Sequence, residues 1–149
     1  MREALTEAEA AFREGESPVG AVAVLGDRII AQAHNLCEST SDPTAHAEIL
    51  ALRAAGKIVG SQRLLGVTLY CTLEPCVMCA GALVHARVQT LVYGADDPKA
   101  GAVVSLFDIP RSGLLNHRVE VIRGVLAAQA TELLSRFFAE LRDRPLTNR

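Results

Sequence analysis

No stretch of this chain approaches the roughly eighteen consecutive apolar residues that a bilayer-spanning helix needs. Half of its 149 residues are nevertheless hydrophobic, so the apolar content is expected in a globular core rather than a membrane. A strongly basic balance is missing too, the formal net charge being −2. Phosphate neutralisation by Lys and Arg is the main source of affinity for nucleic acid, so any such binding must rest on where the charges sit. No signal peptide is expected ahead of the four cysteines, and a chain of this length buries a core without disulfide staples. Reduced thiols and a cytoplasmic location are therefore expected. No repeat and no long linker break the chain, which implies a single domain over residues 1–149. Finally, the one C-x-x-C has no second copy with which to close a structural zinc site.

What is present is concentrated in two clusters, His46-Ala47-Glu48 and Pro75-Cys76-Val77-Met78-Cys79. One imidazole and two thiolates are three zinc ligands, one short of a closed tetrahedral site, so the metal would keep a position for water. Zinc lowers the pKa of bound water to about 7, and Glu48 is the natural proton carrier beside it. A lone C-x-x-C also serves redox chemistry, or half of many structural zinc sites. Glu48 argues against a purely structural ion, which has no need of an unliganded carboxylate. Cys37 and Cys71 fall outside the clusters, and Cys71, inside an apolar run, reads as a buried, inert thiol. His34, His85 and His117 read as hydrogen-bonded structural residues, none having motif spacing to the others.

Local signals place these clusters. Ala4, Leu5, Ala8, Ala11 and Phe12 recur at helical spacing, with Gly15 as a stop. Val19 to Leu25 and Arg28 to Ala33 read as strands joined at Gly26-Asp27, a short hairpin. Asp42-Pro43-Thr44 reads as an N-cap and first turn, followed by a helix through Ile49, Leu50 and Leu52. Two residues apart on an ideal helix, side chains diverge by roughly 200°. His46 and Glu48 can therefore converge only beyond the helix end. Val67 to Thr72 is expected as a strand. Glu74-Pro75 then opens a helix to about Arg87, on which Cys76 and Cys79, three apart, share a face. Strands over Val88 to Tyr93 and Arg118 to Ile122, and a helix from Leu126 to about Arg142, complete a mixed sheet with helices on both faces. Two helix N-termini aimed at the metal would favour thiolate and hydroxide.

The pattern running from Pro18-Val19-Gly20-Ala21-Val22 through Asn35, Asp42 to Glu48, Thr72 to Ala82, Gly94-Ala95, Pro98 to Ala102, Ser105-Leu106 and Asn116 to Val119, and on to Phe137-Phe138, resembles the bacterial tRNA-specific adenosine deaminases of the cytidine deaminase superfamily. The likeness runs nearly end to end. It implies a three-layer α/β/α cytidine deaminase-like fold with a five-stranded mixed sheet, one zinc per subunit, and a homodimer whose partner helps form the RNA site. The implied reaction is hydrolytic conversion of the wobble adenosine in a tRNA anticodon loop, typically of an arginine tRNA, to inosine by zinc-bound hydroxide. Carried onto this sequence, it makes His46, Cys76 and Cys79 the metal ligands and Glu48 the proton shuttle. Asn35, Ala47, Asp97, Lys99 and Phe138 become substrate-binding residues, with the Glu74-Pro75 backbone flanking the pocket. Asp97 would meet a ribose 2′-hydroxyl, or serve simply as a turn residue before Pro98. Lys99 would meet a phosphate or face water. Asp96 stands where many members of that family carry Arg, which weakens local attraction for phosphate.

The charges are unevenly spread. From Arg111 onward there are seven Arg against four acidic residues, whereas residues 1–17 hold five Glu against two Arg. A basic C-terminal part could line an anticodon stem, or its arginines could be scattered over a solvated surface. Two other readings remain at this level: deamination of a small free base or nucleoside such as guanine or cytosine, and a non-catalytic zinc-binding partner subunit.

Overall fold

The computed structural model describes residues 1–145. Ala4, Ala8 and Ala11 line the buried face of α1 (Arg2–Arg13). Their small side chains let the helix settle on Gly20, where a Cβ would overlap the Ala4 carbonyl and the Ala8 nitrogen. β1 (Gly20–Leu25) starts beneath that contact and turns back into β2 (Arg28–His34) through Gly26-Asp27. Gly26 takes a φ of +63°, a conformation that costs glycine nothing. A register shift between Ala23 and Val24 puts a bulge into this antiparallel pair.

Beyond the hairpin come α2 (Cys37–Thr40), α3 (Ala47–Val59), β3 (Val67–Leu73), α4 (Val77–His85), β4 (Thr90–Ala95), β5 (Glu120–Ile122) and α5 (Ala127–Asp143). The sheet order is β2-β1-β3-β4-β5. β1 pairs antiparallel with both neighbours, whereas β3, β4 and β5 run parallel. α3 and α4 cover one face, α1 and α5 the other, which gives the expected three layers. Every residue of β4 is buried, as suits a parallel strand covered on both faces. The main core lies under α3 and α4, where Val67, Leu69 and Leu91 meet Ala51, Leu52, Ala55 and Leu83. On the opposite face Phe137 packs edge-on against Phe12, with ring centroids 5.7 Å apart. Among the described residues no helix is long and apolar enough to cross a membrane.

Four local expectations need correction. Asp42 does not cap a helix: its Oδ1 accepts from the Thr44 N–H at 2.8 Å and the Thr44 hydroxyl at 2.7 Å. This Asx turn competes with helix formation, so α3 starts four residues after Pro43, with His46 at its N-cap. Cys37–Thr40 forms a short helix that no periodicity announced. β4 begins at Thr90 rather than Val88, because the Val88 N–H is held by the Leu83 carbonyl at the end of α4 and Arg87 turns with φ +60°. β5 shrinks to three residues.

Candidate active site

The C-terminal ends of parallel β3 and β4 face the N-termini of α3 and α4, the usual place for a ligand in an open α/β sheet. A cavity of about 850 Å³ opens there, within the range of small-molecule sites. Both metal-type clusters sit at its floor as helix caps. His46 is the N-cap of α3 with φ −71° and ψ 149°, and Cys76 is the N-cap of α4 with φ −74° and ψ 179°. Their extended backbones swing the two side chains off the helix axes, which solves the divergence of His46 and Glu48. His46 Nδ1 lies 3.6 Å from Cys76 Sγ and 3.5 Å from Cys79 Sγ. These three are the group of His, Cys and carboxylate residues able to hold a metal among the described residues.

Their protonation follows from the packing. The Cys79 thiol donates to Cys76, and with the neighbouring His46 this holds the Cys76 thiol at about 4, outweighing burial. The same contact, with burial, pushes Cys79 up. Hydrogen bonding to Cys76 raises His46, against the effect of burial. Glu48 is 3% exposed and its pKa is raised by desolvation, only partly offset by hydrogen bonds to its own backbone N–H and to the Cys71 thiol. Its Oε2 is buried without a hydrogen-bond partner among the described residues. A polar atom so placed costs about 1–3 kcal/mol, which a ligand at this spot would recover. Convergent nitrogen and sulfur donors beside an orphaned carboxylate oxygen fit a zinc ion with an open position.

The remaining candidates divide. Asn35 lines the cavity, and its Oδ1 accepts from the Ala47 N–H at 2.8 Å. It thereby caps α3 from across the chain and leaves its amide nitrogen for a ligand. Ala47 itself is fully buried and is not among the lining residues. Its side chain belongs to the core, and its N–H is spent on Asn35. Asp97 and Lys99 line the cavity, and Asp97 Oδ1 also accepts from the N–H groups of Lys99 and Ala100, as a turn residue would. Phe138 lines the wall and is 46% exposed. Asp96 is neutralised locally: it accepts from the Tyr93 hydroxyl at 2.9 Å and pairs with Arg123 at 2.8 Å.

Other residues were less visible in sequence. Thr131, Leu134 and Ser135 of α5 join Phe138 to form one wall; their three- and four-residue spacing marks a helix face, with nothing local to say that it borders a site. Of the late arginines, Arg111 pairs with Asp108, Arg136 lies over the Phe12 ring at 5.3 Å, and Arg142 reaches the cavity. His34 bridges Glu7 and Glu14, and the His117 Nε2–H donates to the Val88 carbonyl at 2.8 Å, both as structural residues. His85 departs from that expectation: it is exposed beside a second groove, and among the described residues its ring makes no hydrogen bond. Cys71 is fully buried, as expected.

Comparison with known proteins agrees with this geometry. The family model of MafB19-like deaminases matches residues 1–142. The tRNA-specific adenosine deaminase of Bacillus subtilis (strain 168) is 49% identical over 144 residues, covering 97% of this chain and 89% of that protein. A solved tRNA:A34 deaminase, which edits A to I at the wobble position of transfer RNA, superposes with a TM-score of 0.87 at 44% identity, over 90% of this chain and 97% of that one. The guanine deaminase of Nitrosomonas europaea shares the fold less closely, with a TM-score of 0.76 and 28% identity over 91% of this chain and 81% of its own.

Proposed function

The chain belongs to the tRNA-specific adenosine deaminase family of MafB19-like deaminases, and on that premise we propose that it converts the wobble adenosine of a tRNA anticodon loop, an arginine tRNA's in particular, to inosine with release of ammonia. The supporting observation is the unpartnered Glu48 Oε2 beside His46 Nδ1, Cys76 Sγ and Cys79 Sγ at the floor of an open cavity. His46, Cys76 and Cys79 are the residues that would hold zinc. When bound, the metal supplies Lewis acidity that brings the pKa of water down to about 7.

Glu48 moves the protons. Its carboxylate takes one from water as oxygen adds at C6 of the purine and delivers it to N1, then takes the proton of the C6 hydroxyl and passes it to the amino group, which leaves as ammonia while C6 becomes a carbonyl. A buried carboxyl with a raised pKa suits that work, since it must hold a proton between steps. The Asn35 amide nitrogen donates to the extruded nucleotide, while Ala47 contributes indirectly, its N–H holding the Asn35 side chain in place. Phe138 offers a ring on which a flanking base stacks, worth about 1–3 kcal/mol per base. Asp97 meets the target ribose and Lys99 a phosphate. Extruding a base from a loop costs less than from a duplex, which suits an anticodon. Residues 1–149 act as one zinc-dependent domain in the cytoplasm, and the working form is a homodimer whose second chain extends the RNA surface.

The test is inosine formation in an arginine-tRNA anticodon stem-loop, run beside free adenosine, cytosine and guanine, with zinc content measured in parallel. Inosine should form from the stem-loop alone. Glu48→Ala should keep its zinc and lose about 10³-fold or more in turnover, whereas His46→Ala or Cys79→Ala should lose the metal. Turnover of a free base instead, or silence on every substrate with zinc bound, would refute the RNA-editing reading.

A further inference from the structure

Glu74 precedes Pro75-Cys76, yet its carboxylate takes no part in the metal cluster. It is 2% exposed and is surrounded by the loop that follows β4. Oε2 accepts from the N–H groups of Val103 at 3.1 Å, Val104 at 2.9 Å and Ser105 at 2.9 Å. Oε1 accepts from the Asp97 N–H at 3.0 Å and from the Ser105 hydroxyl. Five donors on one buried side chain leave it fully satisfied. The loop closes over it so tightly at Gly101 that a Cβ there would overlap the carboxylate. The same segment is tied to the metal side through a bridge between Cys76 and Gly101 and through the Ala102 N–H, which donates to the Pro75 carbonyl at 2.9 Å.

The residues so gathered include a wall of the cavity, namely Asp97, Pro98, Lys99 and Ala100. Their fold depends on a short chain of acceptors: Asp97 Oδ1 holds the Lys99 and Ala100 N–H groups, and Glu74 Oε1 holds the Asp97 N–H. We infer that Glu74 is a positioning residue for substrate: its carboxylate fixes the 97–100 wall against the metal-binding end of α4, and so governs how tightly the RNA is held rather than how fast the bound base reacts. This rests on the RNA-editing reading, since the wall is taken to meet the nucleotide's sugar and phosphate.

Glu74→Gln is the selective perturbation. A glutamine can keep its carbonyl on the Val103, Val104 and Ser105 N–H groups, and the Ser105 hydroxyl can turn to accept from its amide, but that amide then confronts the Asp97 N–H, donor against donor. Only the 97–100 end of the loop is released. Steady-state kinetics on the anticodon stem-loop should show KM raised about tenfold, equal to about 1.4 kcal/mol of binding, with kcat within about twofold and zinc content unchanged, a split that removes binding and spares chemistry. Amide hydrogen exchange, which needs no substrate, should speed up at Asp97, Lys99 and Ala100 and stay unchanged along α4. Ser105→Ala, which deletes one donor, should shift KM in the same direction by less. Should Glu74→Gln fail to fold, Ser105→Ala decides the matter by the same two readouts. An unchanged KM, or a fall in kcat alone, would overturn the inference. Should the wild-type protein itself not act on the stem-loop, the RNA-editing reading falls. Unaltered exchange at 97–100 in the variant would overturn the positioning role whatever the substrate.

Discussion

On the proposed function Asn35 would join two roles in one side chain, and two substitutions separate them. Its Oδ1 takes the Ala47 N–H, one of the donors that α3 cannot satisfy internally, and its amide nitrogen is left for the cavity. In Asn35→Ala both are lost. A missing cap costs about 0.5–2 kcal/mol and an unsatisfied buried N–H about 1–3 kcal/mol. Because both figures describe the same donor, about 2 kcal/mol is the expected loss of stability. For a domain of this size that lowers Tm by about 4–8 °C. Asn35→Asp behaves differently. A carboxylate still accepts from Ala47 and is favoured at a helix N-terminus, which offsets part of the cost of burying it in the cavity that Glu48 also lines, so stability should fall by less than in Asn35→Ala. The group facing the cavity, however, becomes an acceptor beside Glu48, and stem-loop deamination should fall about 10²-fold or more, the scale set by leaving a built hydrogen-bonding position mismatched. Thermal unfolding and inosine formation on the same preparations measure both. Full activity in Asn35→Asp would refute the substrate contact, and an unshifted Tm in Asn35→Ala would refute the long-range cap.

His34 joins β2 to α1 between Glu7 at 2.7 Å and Glu14 at 3.0 Å, with Glu16 close enough to add to the field. Burial alone would lower its pKa, but the two carboxylates outweigh burial and raise it. The contribution is therefore complete below the unfolded value of about 6.5 and disappears as pH rises through the higher folded value. Urea unfolding should show wild type about 1 kcal/mol more stable than His34→Asn at pH 6, and the gap should close by about pH 9; a gap independent of pH would contradict the charged clasp. Gly20→Ala places a methyl group against the backbone of α1, which cannot yield like a flexible side chain. A loss of about 2 kcal/mol is expected, read as a Tm lowered by about 4–8 °C, and a neutral result would mean that α1 stands off the sheet in solution.

Periodicity and turn chemistry made most of the framework readable. The hairpin at Gly26-Asp27, the two clusters at the starts of α3 and α4, and the five strands all carry local signals of composition and spacing. The errors have a common cause. Asp42-Pro43 looks like a helix start because the residues that overrule it lie elsewhere: Asn35 caps α3 and leaves Asp42 free to close its own turn. For Ala47, which the family resemblance makes a substrate-binding residue, the sequence does not say which of its groups faces the site. The helix turns its methyl group inward, so that only its N–H is used.

By itself the sequence determined the donor set, because one imidazole, two thiols and an adjacent carboxylate are specified by residue type and by spacing within two short segments. It determined the layers as well, since hydrophobic period is a local property. The shape of the site was decided by tertiary structure alone. His46, Cys76 and Cys79 meet because two helix N-termini approach across about thirty residues of intervening chain, and α5 becomes a wall because Phe137 anchors it on Phe12. Asp96 is quenched by Arg123, twenty-seven positions away, and the loop at Asp97 folds around the Glu74 carboxylate. Each of these is a pairing of groups that satisfy one another only once the chain has brought them together, and no local pattern encodes which donor will find which acceptor.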